Sequence, residues 1–286
     1  MRKNGGEPST RGTDRGEEHV KLLVRLVWNG AGYAGYQAQN DEGAPKPSIQ
    51  RTLTAAFSEG LGLPCRVTGC SRTDAGVHAL GFAAAVDPAP GCEREGWLRI
   101  PVGRVHRAMR RFLPPDIAIS GEAEADDGFH PRYSAVGKEY IYRMRDAVWP
   151  DPFSEGTAWR LSRPLPPDGV ERMNRAASYL TGTHDYTSFM ASGSKITDAV
   201  RTVTRLTAER RGEEIVLTAA ADGFLYNMVR ILAGTLADCA MGTFEPEEAA
   251  GILAAGDRRR AGRTAPAHGL YLSRVEYDPP VEWVLL

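Results

Sequence analysis

Apolar residues along the chain alternate between two spacings, which predicts a succession of strands and helices. Val20 to Trp28 is rich in Val and Leu and stops at Asn29-Gly30, as expected of a strand followed by a turn. From Ser48, a residue suited to capping a helix, apolar positions recur at helical spacing as far as Glu59. The segment from Ser71 to Ala79 follows neither spacing and is predicted to be a loop.

The same reasoning divides the remainder of the chain into elements. The first half is predicted to continue with two short strands, one helix and a further short strand: Val67 to Gly69, Gly81 to Val86, Val102 to Phe112, and Ile117 to Ser120. The second half is predicted to hold a strand, a helix, two strands, two helices and a closing strand: Lys138 to Arg145, Asp168 to Leu180, Arg201 to Glu209, Glu214 to Ala221, Phe224 to Met241, Pro246 to Ala255, and Leu270 to Tyr277. Because two of these strands are adjacent and form a hairpin, the pattern favours an α+β fold with mainly antiparallel sheets over a doubly wound one.

An acidic, polar stretch from Glu122 to Gly128 is the predicted boundary between the halves. It divides the chain into an N-terminal half, residues 20–125, which carries the loop, and a C-terminal half, residues 126–286. Residues 1–19 are polar and contain no apolar run, which predicts a flexible tail and not a secretory signal.

The composition is that of an ordinary globular protein. Apolar residues make up 42% of the chain and charged residues 25%, and no run approaches the ~18–20 consecutive apolar residues that span a bilayer. The four cysteines form no C-x-x-C pair and lie at no zinc-ligand spacing. We therefore expect a cytoplasmic protein with reduced thiols and no metal. Since the formal net charge is −1, nucleic-acid binding would require a local concentration of basic residues.

The predicted loop holds the most reactive combination of residue types in the chain. Residues 69–79 read Gly-Cys-Ser-Arg-Thr-Asp-Ala-Gly-Val-His-Ala, and Gly76 permits a tight backbone path. In an extended loop Arg72 and Asp74 would project to the same side, where a guanidinium would orient the carboxylate and keep it ionised. Judged by residue types alone, such a pair is more often structural than catalytic. A hydrolase that uses Asp74 together with His78 is one alternative that this pattern leaves open.

The run from Ser71 to His78 resembles the signature loop G-R-T-D-A-G-V-H of the tRNA pseudouridine synthase A family, with Ser71 in place of the first glycine. Other stretches are similar to motifs of that family in the same order: residues 35–39, 129–135, 140–142, 182–189, 228–236 and 264–272. Tyr36 stands where the family usually has tryptophan, and Pro131 where it has alanine. The resemblance covers nearly the whole chain, from about Val20 to Tyr277.

This resemblance implies an enzyme that isomerises uridine to pseudouridine in the anticodon stem-loop of tRNA, with Asp74 as the nucleophile on a flipped-out nucleotide. The first step, either attack on ribose C1′ or a glycal route begun by proton removal, stays open. Neither a cofactor nor a metal is implied. The implied fold has two halves with antiparallel sheets, helices on one face and a central cleft, and bacterial members of the family resemble homodimers. A non-catalytic RNA-binding protein on the same scaffold is the other alternative.

The matched motifs also imply roles for individual residues. Arg72 is expected to orient Asp74 and to help hold the target nucleotide out of its stack. Tyr140 is expected to stack on the target base, and Tyr142 competes for this role because it lies on the same strand face. Arg230 lies among apolar residues of a predicted helix and needs a partner if it is buried, for which Asp74 is the natural candidate.

The remaining site predictions concern the pocket wall and the RNA surface. Leu270, or its neighbour Leu272, is expected to line the apolar wall of the base pocket. Three arginines share one face of a predicted helix: Arg104, Arg107 and Arg111. That stripe is suited to tRNA phosphates, although such a pattern is more often a solvated face. Residues 258–260 together with Arg263 form a second basic candidate.

Overall fold

The structure, a computed structural model, describes residues 20–38, 45–93, 96–193 and 196–286. The predicted N-terminal tail, residues 1–19, and the last residue of the 35–39 motif lie outside the described residues. Within these ranges the chain is a mixed α+β protein built on one large, mostly antiparallel sheet. The predicted fold class is therefore confirmed.

The elements follow one another in nearly the predicted order. The strands are β1 Val20–Trp28, β2 Cys65–Gly69, β3 His78–Pro88, β4 Ile117–Asp126, β5 Ala135–Arg145, β6 Trp159–Arg160, β7 Gly182–Asp185, β8 Val200–Arg211, β9 Glu214–Ala221, β10 Leu270–Tyr277 and β11 Val284–Leu285. The helices are α1 Ile49–Leu61, α2 Val105–Met109, α3 Gly169–Tyr179, α4 Met228–Ala240 and α5 Glu248–Ala254.

The two halves of the chain meet within a single sheet. Its strand order is β11-β4-β1-β3-β10-β5-β9-β8-β7, while β2 pairs with β3 and β6 pairs with β5. The halves are joined where β10 runs parallel to β3, with Tyr271 opposite His78 and Leu272 opposite Ala79. Because β10 also pairs antiparallel with β5, the junction places the start of β3 one strand away from the middle of β5.

Local sequence explains the elements on either side of this junction. In β1 the consecutive residues Leu22, Leu23 and Val24 are all fully buried, as expected of a central strand that is covered on both faces. Helix α1 begins where the Ser48 hydroxyl accepts the backbone N–H of Arg51 at 3.3 Å. Its buried face packs on β2, whereas α3 packs against α4 and β8.

The structure corrects two predicted elements between residues 102 and 128. Helix α2 is restricted to Val105–Met109. The buried carboxylate of Glu122 fixes where it begins, since it accepts the backbone N–H groups of Gly103 at 2.6 Å, Val105 at 3.1 Å and His106 at 2.6 Å. Gly103, at φ +86°, lies outside the helical region of backbone conformation. Glu122 thus belongs to the long strand β4, so the acidic stretch predicted as a boundary is mostly strand. The division at residues 125 and 126 remains a prediction.

The segment that leads into β10 lies directly on helix α4. A Cβ atom at Gly234 would be 1.8 Å from the carbonyl oxygen of Arg263, and one at Gly262 would be 2.6 Å from the Cα atom of Thr235. The hydroxyl of Thr235 also accepts the backbone N–H of Gly262 at 2.9 Å. Contact this close requires a residue without a side chain on each side, and it fixes the position of α4 relative to β10.

Gly234→Ala should therefore destabilise the protein by about 1–3 kcal/mol, since the added methyl group overlaps the backbone of the segment that precedes β10. The matched control is Gly251→Ala in α5, where an added Cβ atom meets nothing within 4 Å and alanine should stabilise the helix by about 0.5–1 kcal/mol. Urea unfolding measures both changes. Equal stabilities for the two variants would contradict this account of the contact.

Candidate active site

The reactive residues lie on the loop between β2 and β3, residues 70–77, called here the Asp74 loop. It begins where the N–H of Cys70 donates to the carbonyl of Ala83 at 2.9 Å, and it ends in a turn closed by the N–H of Val77 and the carbonyl of Asp74 at 3.2 Å. Gly76 has φ +81° within this turn, a conformation that favours glycine. The prediction of a loop with a tight path at Gly76 is confirmed.

The turn after β1 packs against the backbone of the Asp74 loop. Gly35 has φ +101°, and a Cβ atom there would be 2.5 Å from the carbonyl oxygen of Thr73. The next residue, Tyr36, donates its N–H to that same oxygen at 3.1 Å. At the other end of the loop, the indole N–H of Trp28 donates to the carbonyl of Val77 at 3.0 Å. The loop backbone is therefore held at Thr73 and at Val77 by the end of β1 and the segment after it, which has no room for a side chain at Gly35.

Asp74 forms an ion pair with Arg230 of helix α4. The guanidinium Nη1 lies 2.9 Å from the Asp74 Oδ2 atom and 2.8 Å from the Oδ1 atom of Asn227, and Nε donates to the carbonyl of Ala265 at 2.8 Å. The side chains of Arg230 and Asp74 are 17% and 33% exposed. The prediction that Asp74 is the partner of Arg230 is confirmed as a contact, and the arginine makes three hydrogen bonds at this partly buried position.

Arg72 does not orient Asp74 as predicted. Its side chain is exposed and, within the described ranges, makes no ion pair with Asp74. The prediction assumed an extended loop, in which residues two apart share a side. The Asp74 carboxylate instead bonds to Arg230 of helix α4, and the Arg72 side chain remains exposed.

Tyr140 lies beside the Asp74 loop on β5. Its hydroxyl is 3.3 Å from the hydroxyl of Ser71, and its ring meets that of Phe224 edge-on at 5.2 Å between centroids. Burial raises the pKa of the Tyr140 phenol, and the nearby Asp74 carboxylate adds to this effect. The competing Tyr142 is fully buried and donates its hydroxyl to the carbonyl of Pro266 at 2.7 Å. This internal bond leaves Tyr140 as the tyrosine next to the loop.

The two candidate leucines lie on β10 opposite these tyrosines. Leu270 pairs with Tyr142 and Leu272 with Tyr140, and both leucines are buried, at 7% and 0% exposure. Leu272 is thus the cross-strand neighbour of Tyr140, while Leu270 belongs with the more deeply placed Tyr142. The role of Leu270 in a base pocket remains a prediction.

His78 is held in the structure through both ring nitrogens. Its Nδ1 accepts the N–H of Gly30 at 3.0 Å, and its Nε2 lies 3.1 Å from the carbonyl oxygens of Gly156 and His268. The ring stacks on Tyr271 at 4.5 Å. Because no bond joins it to Asp74 in the described part of the chain, a pair of Asp74 and His78 as required by the hydrolase alternative is not formed.

The arginines predicted to contact RNA differ in their surroundings. Arg104, Arg107 and Arg111 are exposed, but only Arg107 lies within α2, so the predicted helix face does not exist as a continuous stripe. The second basic candidate is largely engaged with the protein itself. Arg258 donates to the Gly262 carbonyl and the Thr264 hydroxyl, whereas two others pair with acids: Arg259 with Asp257, and Arg263 with Asp238.

Two contributors to this site carried no prediction of their own. Asn227 precedes α4 with φ +59°, an uncommon conformation for a residue other than glycine, and accepts a bond from Arg230. Its position three residues before Arg230, on the same side of the first helical turn, is the signal that sequence offers. Ser71 replaces the first glycine of the family loop, and its hydroxyl contacts the hydroxyl of Tyr140.

Neither a metal centre nor a membrane segment is found in the ranges that the structure covers. No group of three or more His, Cys, Asp or Glu side chains in these ranges could hold a metal ion. In the same ranges, no helix is long and apolar enough to cross a membrane.

The chain is similar to a well-populated enzyme family. A family model described as tRNA pseudouridine synthase matches residues 176–278. The tRNA pseudouridine synthase A of Bacillus subtilis is 39% identical over 259 residues, covering 91% of this chain and all of that protein. Its counterpart in Moorella thermoacetica is 40% identical over 256 residues, covering 90% of this chain and 99% of that protein.

A solved chain from a Cbf5–Nop10–Gar1 complex aligns with 88% of this chain and 58% of its own length, at 11% identity and a TM-score of 0.34, an overlap too weak to define a fold. The curated relatives are decisive, because they are similar along their whole length. The chain belongs to the tRNA pseudouridine synthase A family, a family of isomerases.

Lowering the pH should destabilise the protein through His78. Burial lowers the pKa of its imidazole below the ordinary 6.5, so the unfolded chain binds a proton that the folded chain does not. The contribution is complete above about pH 6.5 and is lost as the pH falls below it, by at most about 1.4 kcal/mol per pH unit. Urea unfolding of the wild type and of His78→Asn, which cannot titrate there, measures it. A stability difference between the two that is independent of pH would contradict this prediction.

Proposed function

We propose that the protein converts uridine to pseudouridine in tRNA, with Asp74 as the nucleophile. The single observation that carries this proposal is the Asp74–Arg230 ion pair, which lies next to Tyr140 in a member of this family. The carboxylate is one third exposed, so it is both fixed and accessible. A purely structural ion pair would not require a neighbouring aromatic residue.

The chemistry needs a carboxylate and no redox partner. The bond between uracil N1 and ribose C1′ breaks, a bond between C5 and C1′ forms, and the proton lost from C5 is balanced by one gained at N1. Atoms and electrons balance within the nucleotide, so the reaction is an isomerisation. In the proposed route Asp74 attacks C1′ and is displaced after the base has rotated.

The ion pair suggests different roles for the two carboxylate oxygens of Asp74. Oδ2 accepts the bond from Arg230, whereas Oδ1 accepts no hydrogen bond from the described residues. One oxygen is therefore anchored and the other remains available to react. Preorganised charge of this kind lowers a barrier because no reorientation is needed during the reaction.

The surrounding residues suit a nucleotide that has left its stack. Tyr140 offers a ring beside the loop, and base–aromatic stacking is worth about 1–3 kcal/mol. Arg72 is exposed and has no acidic partner among the described residues, which leaves its guanidinium free to fill the space that a flipped nucleotide vacates. The apolar wall is assigned to Leu270 in this proposal.

The proposal extends to partners and location. The substrate is tRNA, modified in the anticodon stem-loop, and Arg104, Arg107 and Arg111 contribute to its binding. We place the protein in the cytoplasm as a homodimer. The reason for a dimer is that two copies of a chain with a net charge of −1 can assemble a larger basic surface than one copy can. The three arginines support it because each is exposed and without an ion-pair partner in the part of the chain described.

Asp74→Asn should reduce pseudouridine formation by a factor on the order of 10⁴ or more, because the amide is no nucleophile. Binding of tRNA should change little, since the side-chain shape is retained. The measurement is single-turnover release of tritium from C5 of labelled uridine in tRNA, with mapping of the product. Asp257→Asn, which breaks a surface pair with Arg259, is the matched control and should keep its activity. Wild-type turnover by Asp74→Asn would overturn the assignment.

Reversing charge at Arg104 and Arg107 together should weaken tRNA binding and reduce its dependence on salt. Each lost phosphate contact removes roughly 0.7–0.9 from the slope of log K against log salt. The control is a double reversal at Arg175 and Arg211, exposed arginines that are already paired with Glu247 and Glu209. A slope equal to that of the wild type would exclude Arg104 and Arg107 from the RNA surface.

A further inference from the structure

The 129–135 motif forms a rigid turn before β5 for which the proposed chemistry has no use. The phenol of Tyr277 donates to the carbonyl of Pro131 at 2.9 Å. The His130 Nδ1 atom accepts two backbone N–H groups, from Arg132 at 3.1 Å and from Tyr133 at 3.3 Å. Since a ring nitrogen that accepts must be unprotonated, the lowered pKa of His130, caused mainly by burial, agrees with this geometry. The turn is thus fixed independently of any ligand.

This turn presents a cation and an aromatic ring to solvent. Tyr133 is 77% exposed, and the Arg132 guanidinium lies 5.8 Å from the centre of its ring. The His130 ring also contacts the Tyr133 ring, with 4.4 Å between the two centroids. Within the described ranges Arg132 forms no ion pair, and it is exposed. A large aromatic residue held in the open beside an arginine is an arrangement suited to nucleic acid.

Lys138 extends the same positive region towards the active site. It lies on β5 two residues before Tyr140, so both side chains project to one face of the strand. Arg132 and the buried Cys70 are close enough to act electrostatically on its ammonium group, and Cys70 adjoins Ser71, which contacts Tyr140. Lys138 therefore lies beside the start of the Asp74 loop.

The ammonium of Lys138 is partly buried and has no counter-charge in the described part of the chain. Burial lowers its pKa, and burial also raises the pKa of the Cys70 thiol to about 12, so that thiol is neutral and supplies no negative charge. Several partly buried cations elsewhere in this chain do have acidic partners, as in Arg143 with Glu214 and Arg230 with Asp74. A partly buried ammonium without an acidic partner is unfavourable for stability, and it is suited to an anionic ligand that supplies the missing charge.

We propose that Arg132, Tyr133 and Lys138 form a phosphate subsite for the RNA strand next to the target nucleotide. Lys138 binds the phosphodiester closest to the base that stacks on Tyr140, and Arg132 binds a neighbouring phosphate. Tyr133 stacks on an unpaired base of the same strand. This inference rests on the proposed function, because the anion it requires is the backbone of the substrate.

The test compares tRNA binding over a range of potassium chloride concentrations for the wild type, Lys138→Met, Lys138→Arg and Arg132→Met. Lys138→Met should weaken binding about tenfold and lower the salt slope by roughly 0.7, the value for one contact to single-stranded RNA. Lys138→Arg should restore the slope. Lys138→Met should also raise the urea midpoint, because an apolar side chain replaces an unpaired charge. A merely structural lysine would lower the midpoint and leave the slope unchanged.

Arg211→Met is the control, since Arg211 is exposed and already paired with Glu209; it should keep the wild-type slope. Arg132 lies on an exposed turn, so Arg132→Met should fold normally. If Lys138→Met does not fold, the salt slope of tRNA binding by Arg132→Met decides the question. Wild-type slopes for Lys138→Met and Arg132→Met would overturn the subsite while tritium release by the wild type upheld the proposed function. Absence of tritium release from the wild type would overturn the proposed function, and the slopes would still decide whether these residues bind RNA phosphate.

Discussion

The ion pair between Asp74 and Arg230 is the interaction on which the arrangement of the site depends. It joins the loop before β3 to helix α4, two segments that are 156 residues apart in sequence. The arginine is itself positioned by Asn227 and by the backbone of Ala265. Because a partly buried guanidinium without partners is unfavourable, each of these contacts stabilises the same orientation of the carboxylate.

Backbone packing provides the precision that this ion pair needs. The loop rests on a turn that approaches it at Gly35, and α4 is held against the segment before β10 at Gly234 and Gly262. A side chain at any of these glycines would overlap the facing backbone and force the two segments apart. Close backbone packing at these glycines therefore contributes to bringing the carboxylate and the guanidinium together.

Sequence reasoning succeeded where structure is set locally. Strand β1 follows from its run of Val and Leu and the β8–β9 hairpin from alternation, and Ser48 begins α1 as its residue type suggests. It failed where a distant group decides: Glu122 of β4 fixes where α2 begins, and Asp74 pairs with Arg230 of α4 and not with Arg72. The spacing of Lys138 from Tyr140 is visible in the sequence, but the sequence does not show that Lys138 lacks an acidic partner. That property depends on the three-dimensional structure.

The position of β10 has a consequence for how the protein comes into being. This strand comes after both of its neighbours in the chain, yet it lies at the centre of the sheet, between β3 and β5. Until residue 277 has left the ribosome, the earlier strands have two open edges where the junction will form, and such edges invite wrong pairing. The junction between the halves can therefore form only after residue 277 has been synthesised, although most of the strands that it joins are made earlier.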